Sequence, residues 1–240
     1  MRKIGFLTLG EPTWDRRALL RRGAWAGVGA AGLVVAGRAG AAAEATPTAV
    51  AHPPAGCDPR ALLPPVPAFR ATSTDVADGA PLPRPQRGTL FGAGGEDRSP
   101  QLAWAGFPAA TQSFCVTMYD PDAPTGSGFW HWAVVDLPGS VTDLPAGAGA
   151  EGDAGLPAGA FHLPNDLRQA QYLGAAPPPG SGPHRYYLVV TAVDVPTLGV
   201  AKDATPAVLG FTLGGHTLAR AVLVPTAEAA TAPVGATPGA

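Results

Sequence analysis

Two short polar segments hold most of the side chains that could do chemistry. The first is Tyr119-Asp120-Pro121-Asp122-Ala123-Pro124, followed by Gly128-Phe129-Trp130-His131-Trp132. The second is Pro177-Pro178-Pro179-Gly180-Ser181-Gly182-Pro183-His184-Arg185-Tyr186. Each borders a strongly apolar run and is therefore expected at a strand end. Brought together, they place two carboxylates, two imidazoles, a phenol and turn backbone around one small cleft. That inventory suits a compact charged ligand such as a phosphate ester.

Pro121 removes a backbone donor and fixes φ, so the chain must leave its strand after Asp120. Asp120 and Asp122 are either turn formers that accept nearby N–H groups or parts of the cleft. His131, between two tryptophans, is either a satisfied core histidine or a ligand contact. In the second reading it donates from one ring nitrogen to Asp120 or Asp122, which raises its basicity and turns the other nitrogen to the ligand. In a strand, His184 and Tyr186 share one face and Arg185 takes the other. His184 and Tyr186 are thus expected on the cleft edge, and Arg185 in a structural ion pair with one of the aspartates. The Pro/Gly run before His184 forms a stiff wall whose N–H groups suit an anion.

Other chemistries fit less well. Two histidines and an aspartate resemble a facial metal triad, but 53 positions separate the histidines and no short ligand spacing occurs. No metal or cofactor is expected. There is no Gly-x-Ser-x-Gly elbow for a serine hydrolase. Gly92 to Gly95 lack the strand-to-helix context and lysine of a phosphate loop.

The elements that must position these residues are mainly strands. Residues 113–119 alternate, with Phe114, Val116 and Met118 on one face and Cys115, Thr117 and Tyr119 on the other, as in a central strand. Residues 131–137 and 186–195 read as two more strands. Residues 217–224 are a fourth, or a short helix followed by one. A short helix is expected over 203–210 with Pro206 in its first turn. Residues 75–100 and 138–160 read as long loops. No strand–helix–strand unit of a doubly wound fold appears, so the expectation is a mostly antiparallel β-domain with few helices.

The ends differ from the middle. Arg16-Arg17 and Arg21-Arg22 precede an apolar run from Gly23 to Gly37 and an Ala-rich stretch. Residues 1–43 therefore read as an export signal, with a hint of the twin-arginine route. That places the protein in the cell envelope or outside it, a misassigned start and a cytoplasmic location being the alternative. The apolar run is too short for a stable membrane span. Residues 44–67 read as a flexible Pro/Ala-rich lead and residues 227–240 as a disordered tail. Residues 1–43 carry seven basic and two acidic side chains, and the remainder nine and sixteen. So acidic a domain argues against nucleic-acid binding through a broad basic face, though not against one local anion site. Cys57 and Cys115 could pair after export, but two cysteines make no disulfide scaffold. Cys115 reads better as a small buried hydrophobe.

The segments Tyr119–Trp132 and Pro177–Tyr186 resemble the two signature stretches of the phosphatidylethanolamine-binding protein (PEBP) family in its bacterial form. Residues 73–83, 96–104 and 164–174 resemble it too, so the resemblance runs from about Phe69 to Val224. It implies a PEBP-like domain over 68–226, with a large antiparallel sheet packed on a smaller sheet and a few short helices. It also implies a pocket for phosphate, acetate or the phosphoethanolamine head group. Asp120 and Asp122 match the family's aspartate pair, and His131 its first histidine. Ala176, Pro177 and Pro178 match its Gly-Pro-Pro wall, and His184 and Tyr186 its second histidine and tyrosine. Arg185 matches a structural arginine. The chain departs from eukaryotic members at Phe129, Trp130 and Ala176. Three functions follow as expectations. The first is a non-enzymatic binding protein for a small anion. The second is a protease or signalling inhibitor that meets a protein partner through loops 75–100 and 138–160. The third is a hydrolase of small esters using His131 as base, for which no activated nucleophile is evident.

Overall fold

The structure, a computed structural model, describes residues 58–229. The expected export segment, the lead up to residue 57 with Cys57, and the tail from residue 230 lie outside the described residues. In chain order the elements are β1 (Arg70–Thr72), β2 (Leu102–Ala105), β3 (Ser113–Asp120), β4 (Phe129–Pro138), β5 (Asp143–Leu144), β6 (Phe161–His162), β7 (His184–Arg185), β8 (Tyr187–Val193), α1 (Pro206–Leu213), β9 (Thr217–Leu223) and β10 (Thr226–Ala227).

The larger sheet has the order β6-β4-β3-β8-β9, and every pair in it is antiparallel. The smaller sheet is β1-β2-β5, and β10 pairs with β7 in a two-stranded ribbon. The alternation along β3 explains why it lies at the centre. Phe114, Val116 and Met118 enter the main core, which Trp104 of β2, Trp132 and Leu188 also enter. Trp104 meets Phe114 edge-on at 5.4 Å, so the two sheets pack through aromatic side chains. Cys115 points the other way, into a second cluster with Val135, Leu209 and Leu213 under α1. A strand covered on both faces needs apolar residues at successive positions, as β3 has.

The helix starts three residues later than expected. Thr205 is its N-cap, the hydroxyl accepting from the Val208 N–H, and Pro206 occupies the first turn. That cap sets the start. The stretch 217–224 resolves as strand. In the described part of the lead, residues 59–62 form a 3-10 turn, and Arg220 of β9 donates from its backbone N–H to the Pro67 carbonyl and from Nη1 to that of Pro64. Within the long 138–160 connection, β5 pairs with β2, an element too short for periodicity to reveal. Cys115 is a free, fully buried thiol, its pKa pushed up to about 12 mainly by burial. Among the described residues no helix is long and apolar enough to cross a membrane.

Candidate functional site

The topology brings the two polar segments together. In the antiparallel sheet both neighbours of β3 begin where β3 ends, with Asp120 opposite Phe129 of β4 and Tyr119 opposite Tyr187 of β8. The C-terminal end of β3 and the N-terminal ends of β4 and β8 therefore lie at one end of the sheet. The connection from β3 to β4 turns sharply. The Asp122 N–H donates to Asp120 Oδ1 at 2.8 Å, and the Thr125 hydroxyl bonds the Gly128 carbonyl. Gly128 has φ +70°, and a Cβ there would fall 2.1 Å from the Tyr119 hydroxyl, so the turn requires glycine. The second segment is anchored by β7, with His184 opposite Ala227, and by the Tyr186 N–H donating to the Pro225 carbonyl.

A buried hydrogen-bonded pair joins the segments. His184 Nδ1 lies 2.7 Å from Asp120 Oδ2, the two side chains being 1% and 3% exposed. On its other side His184 Nε2 lies 2.8 Å from the Ser181 hydroxyl, which lies 2.8 Å from the Pro178 carbonyl. Asp120, His184, Ser181 and the proline wall thus form one continuous chain of hydrogen bonds. A second link lies beside it: Arg185 grips Asp122 through Nε at 2.8 Å, Nη2 at 2.7 Å and its backbone N–H at 2.9 Å. Burial opposes ionisation of Asp122, but the Arg185 hydrogen bonds outweigh it and hold the carboxyl below its usual range.

His131 is held differently from expectation. Its Nδ1–H donates to the Leu173 carbonyl at 2.9 Å, and its own carbonyl accepts the Leu173 N–H at 2.9 Å. The partner is a neutral carbonyl, not an aspartate, and the ring is buried. Burial therefore pushes its pKa down, against the pull of the Asp120 charge. The expected gain in basicity is overturned: desolvation of the imidazolium wins. Nδ1 is fixed as the donor, which leaves Nε2 as the nitrogen available to a guest. The Phe129 and Tyr186 rings flank His131 at 4.9 and 5.2 Å. Tyr186 is fully buried, and its hydroxyl makes no hydrogen bond of good geometry to a described residue. Burial first, and the Asp120 carboxylate second, push its pKa up.

These side chains surround one cavity of about 290 Å³. Asp120, His131, Ala176, Pro177, Pro178, His184 and Tyr186 all line it. Asp122 does not; it is engaged by Arg185. Trp130 does not either: its ring packs on Tyr119 at 4.5 Å on the opposite face. Sequence reasoning missed the third wall, where Leu173 and Gly174 lie beside residues 86–88, joined by the Arg87–Ala175 bridge. A Cβ on Gly174 would fall 2.3 Å from the Arg87 carbonyl carbon, and this close approach is the signal that its glycine carries. It also missed the apolar mouth, where Leu90, Phe91 and Leu167 line the cavity and are exposed. Among the described residues no group of three or more His, Cys, Asp or Glu side chains is placed to hold a metal ion.

The sequence profile described as "Phosphatidylethanolamine-binding protein" matches residues 72–228, which include every residue of the cavity. The chain belongs to the phosphatidylethanolamine-binding protein family. Members of this family generally bind small molecules and lack catalytic residues. Among its relatives, the Escherichia coli UPF0098 protein YbcL is 42% identical over 161 residues, covering 67% of this chain and 88% of that protein. The E. coli UPF0098 protein YbhB is 45% identical over 153 residues, covering 64% and 96%. A Mycobacterium tuberculosis protein described as the putative lipoprotein LppC is 32% identical over 136 residues, covering 55% and 61%. The crystal structure of E. coli YbcL superposes with a TM-score of 0.65 at 41% identity, covering 67% of this chain and 98% of that one. The PEBP fold is the one described above, a larger antiparallel sheet on a smaller one.

Proposed function

We propose that the cavity binds a small oxyanion, a phosphate or carboxylate group, without transforming it. The observation that carries this reading is the Tyr186 hydroxyl: a buried donor that lies near the Asp120 carboxylate but makes no well-formed hydrogen bond among the described residues, on the wall of a cavity that His131 and His184 also line. A buried donor left unsatisfied costs about 1–3 kcal/mol, and an anion oxygen supplies the missing acceptor. The Asp120–His184 pair fixes the wall rather than meeting the guest with a bare carboxylate, because Asp120 is engaged by the imidazole. His131 offers Nε2, as a donor once the ring is protonated. The Asp120–His184 hydrogen bond and the proline wall hold these groups in place before binding, which lowers the ordering cost.

The decisive variant is Tyr186→Phe. It removes a buried hydroxyl that has no well-formed hydrogen bond among the described residues, so the fold keeps its stability while phosphate binding weakens by about tenfold. Calorimetric titration of the full chain with phosphate, phosphoethanolamine and acetate reads the affinities, and urea unfolding reads the stability. Unchanged phosphate affinity in both Tyr186→Phe and His184→Ala would falsify the reading.

The export segment supports an envelope or extracellular location, and the relative described as a putative lipoprotein points the same way. N-terminal sequencing of the protein recovered from fractionated cells tests it. A cytoplasmic protein with residues 1–43 intact overturns it.

A further inference from the structure

A second concavity lies on the outer face of the larger sheet, away from the residues just described. Its floor is the side of β3, β4 and β8 that carries Thr117, Tyr119, Trp130 and Val189; α1 walls one side and the turn at Pro59–Leu62 the other. The volume is about 470 Å³, within the range of small-molecule sites. The rim is apolar and open: Leu63, which lines the groove, is 41% exposed, and Phe211 is 89% exposed.

The charge of this groove runs against that of the rest of the domain. Residues 44–240 carry sixteen acidic and nine basic side chains, yet the groove is lined by Arg60 and Arg220 and by no carboxylate. Arg60 is neutralised by Asp58, with Nη2 2.6 Å from Oδ2. Arg220 is not: among the described residues its guanidinium reaches only the Pro64 carbonyl, at 3.0 Å, and no carboxylate pairs with it. Burial, and then the like charge of Arg60, press on it. One partly buried positive charge is therefore uncompensated at the edge of an apolar trough.

Backbone chemistry selects the occupant. The floor is the face of a sheet, not its edge, so the strand N–H and C=O groups are already consumed in the ladders. A peptide laid there would leave its own amides without partners, which is costly in an apolar setting. An aliphatic chain makes no such demand, and a single carboxylate at its end answers the single unpaired arginine. We propose that this groove binds a fatty carboxylate, the tail against Trp130, Val189 and α1 and the head on Arg220.

Gly210 provides the test. It lies within α1, lines the groove, and a Cβ there meets nothing within 4 Å. Gly210→Leu therefore places its Cβ in open space and extends its side chain into the trough. Arg220→Gln removes the charge and keeps a donor. The full chain is titrated by calorimetry with dodecanoate below its micelle concentration, and with dodecanol as the uncharged probe. The wild type is expected to prefer dodecanoate by about tenfold or more. Arg220→Gln abolishes that preference, and Gly210→Leu abolishes uptake of both probes. Both variants keep wild-type phosphate affinity, which separates this site from the cavity around His184. The proposal is overturned if dodecanoate binding is lost in Tyr186→Phe rather than Gly210→Leu. It is also overturned if the wild type takes up no dodecanoate, or if sedimentation shows a dimer that Gly210→Leu dissociates, which assigns the groove to a second copy.

Discussion

At the scale of single residues, the site depends on how each polar group is shared. Asp120 carries two tasks with two oxygens: Oδ1 closes the turn after β3 and Oδ2 holds His184. Asp120→Asn keeps the first and weakens the second, leaving a buried imidazole without its charged partner. The loss expected is roughly 2–4 kcal/mol, read by urea unfolding, together with loss of phosphate binding. Arg185→Lys is milder in kind. It keeps the charge beside Asp122 but breaks the two-pronged contact, at a cost of about 1 kcal/mol and with the cavity intact. His131 gives the pH test. Its folded pKa is lowered by burial, so the ring is neutral at pH 7 and gains its second donor only as pH falls below the ordinary value of about 6.5. Sulfate, which keeps its charge across this range, should bind more tightly at pH 5.5 than at pH 7.5. In His131→Asn, which retains a donor for the Leu173 carbonyl, the part of that increase due to His131 should disappear. An unchanged pH profile in that variant contradicts the role given to Nε2.

At the scale of elements, two glycines predict opposite outcomes. Gly174 lies where two backbone segments nearly touch, and Gly174→Ala must separate residues 172–176 from 86–88. A cost of about 2–3 kcal/mol is expected, with weaker anion binding because the third wall shifts. Gly210→Ala meets nothing within 4 Å in a helix, so it should stabilise by about 0.5–1 kcal/mol. Urea midpoints check both signs. The same contrast shows what was legible in the sequence. β3 was readable because both of its faces are buried and its alternation is strict, and Pro121 marks its end. The two site segments were readable because proline, glycine and polar residues crowd at strand ends. The two-residue strands β5, β6, β7 and β10 carry too few residues for any period to appear. The wall at Leu173 and Gly174 was invisible for another reason: its role comes from a pairing with residues 86–88, more than eighty positions away, and from a carbonyl, which every residue has. His131 was misread in its partner because sequence offers charged candidates and never a backbone oxygen.

At the scale of the whole molecule, the buried imidazoles tie folding to pH. His131 and His162 both have pKa values lowered by burial. His162 donates from Nδ1 to Asp153, which also pairs with Lys202, at 3.3 Å, and its buried Nε2 has no partner among the described residues. For a base whose folded pKa is depressed, the unfolded chain binds the proton first. Their stability contribution is thus complete above about pH 6.5 and is lost as pH falls through the folded values. Asp122 and Asp153 are held below the usual carboxylate range, so their losses come at lower pH, while Asp136, raised by burial, acts in the opposite sense. Unfolding free energy should therefore be flat from pH 8 to 7 and decline from pH 6.5 to 5, by up to about 1.4 kcal/mol for each unit of depression at each histidine. His162→Asn retains a donor for Asp153 and should remove one part of that slope; His131→Asn should remove the other. An anion in the cavity stabilises a charged His131 but does nothing for His162, which does not line it. Sulfate should accordingly flatten the acid limb more completely in His162→Asn than in wild type, and hardly at all in His131→Asn. Equal protection in the two variants would mean that the anion acts elsewhere on the fold.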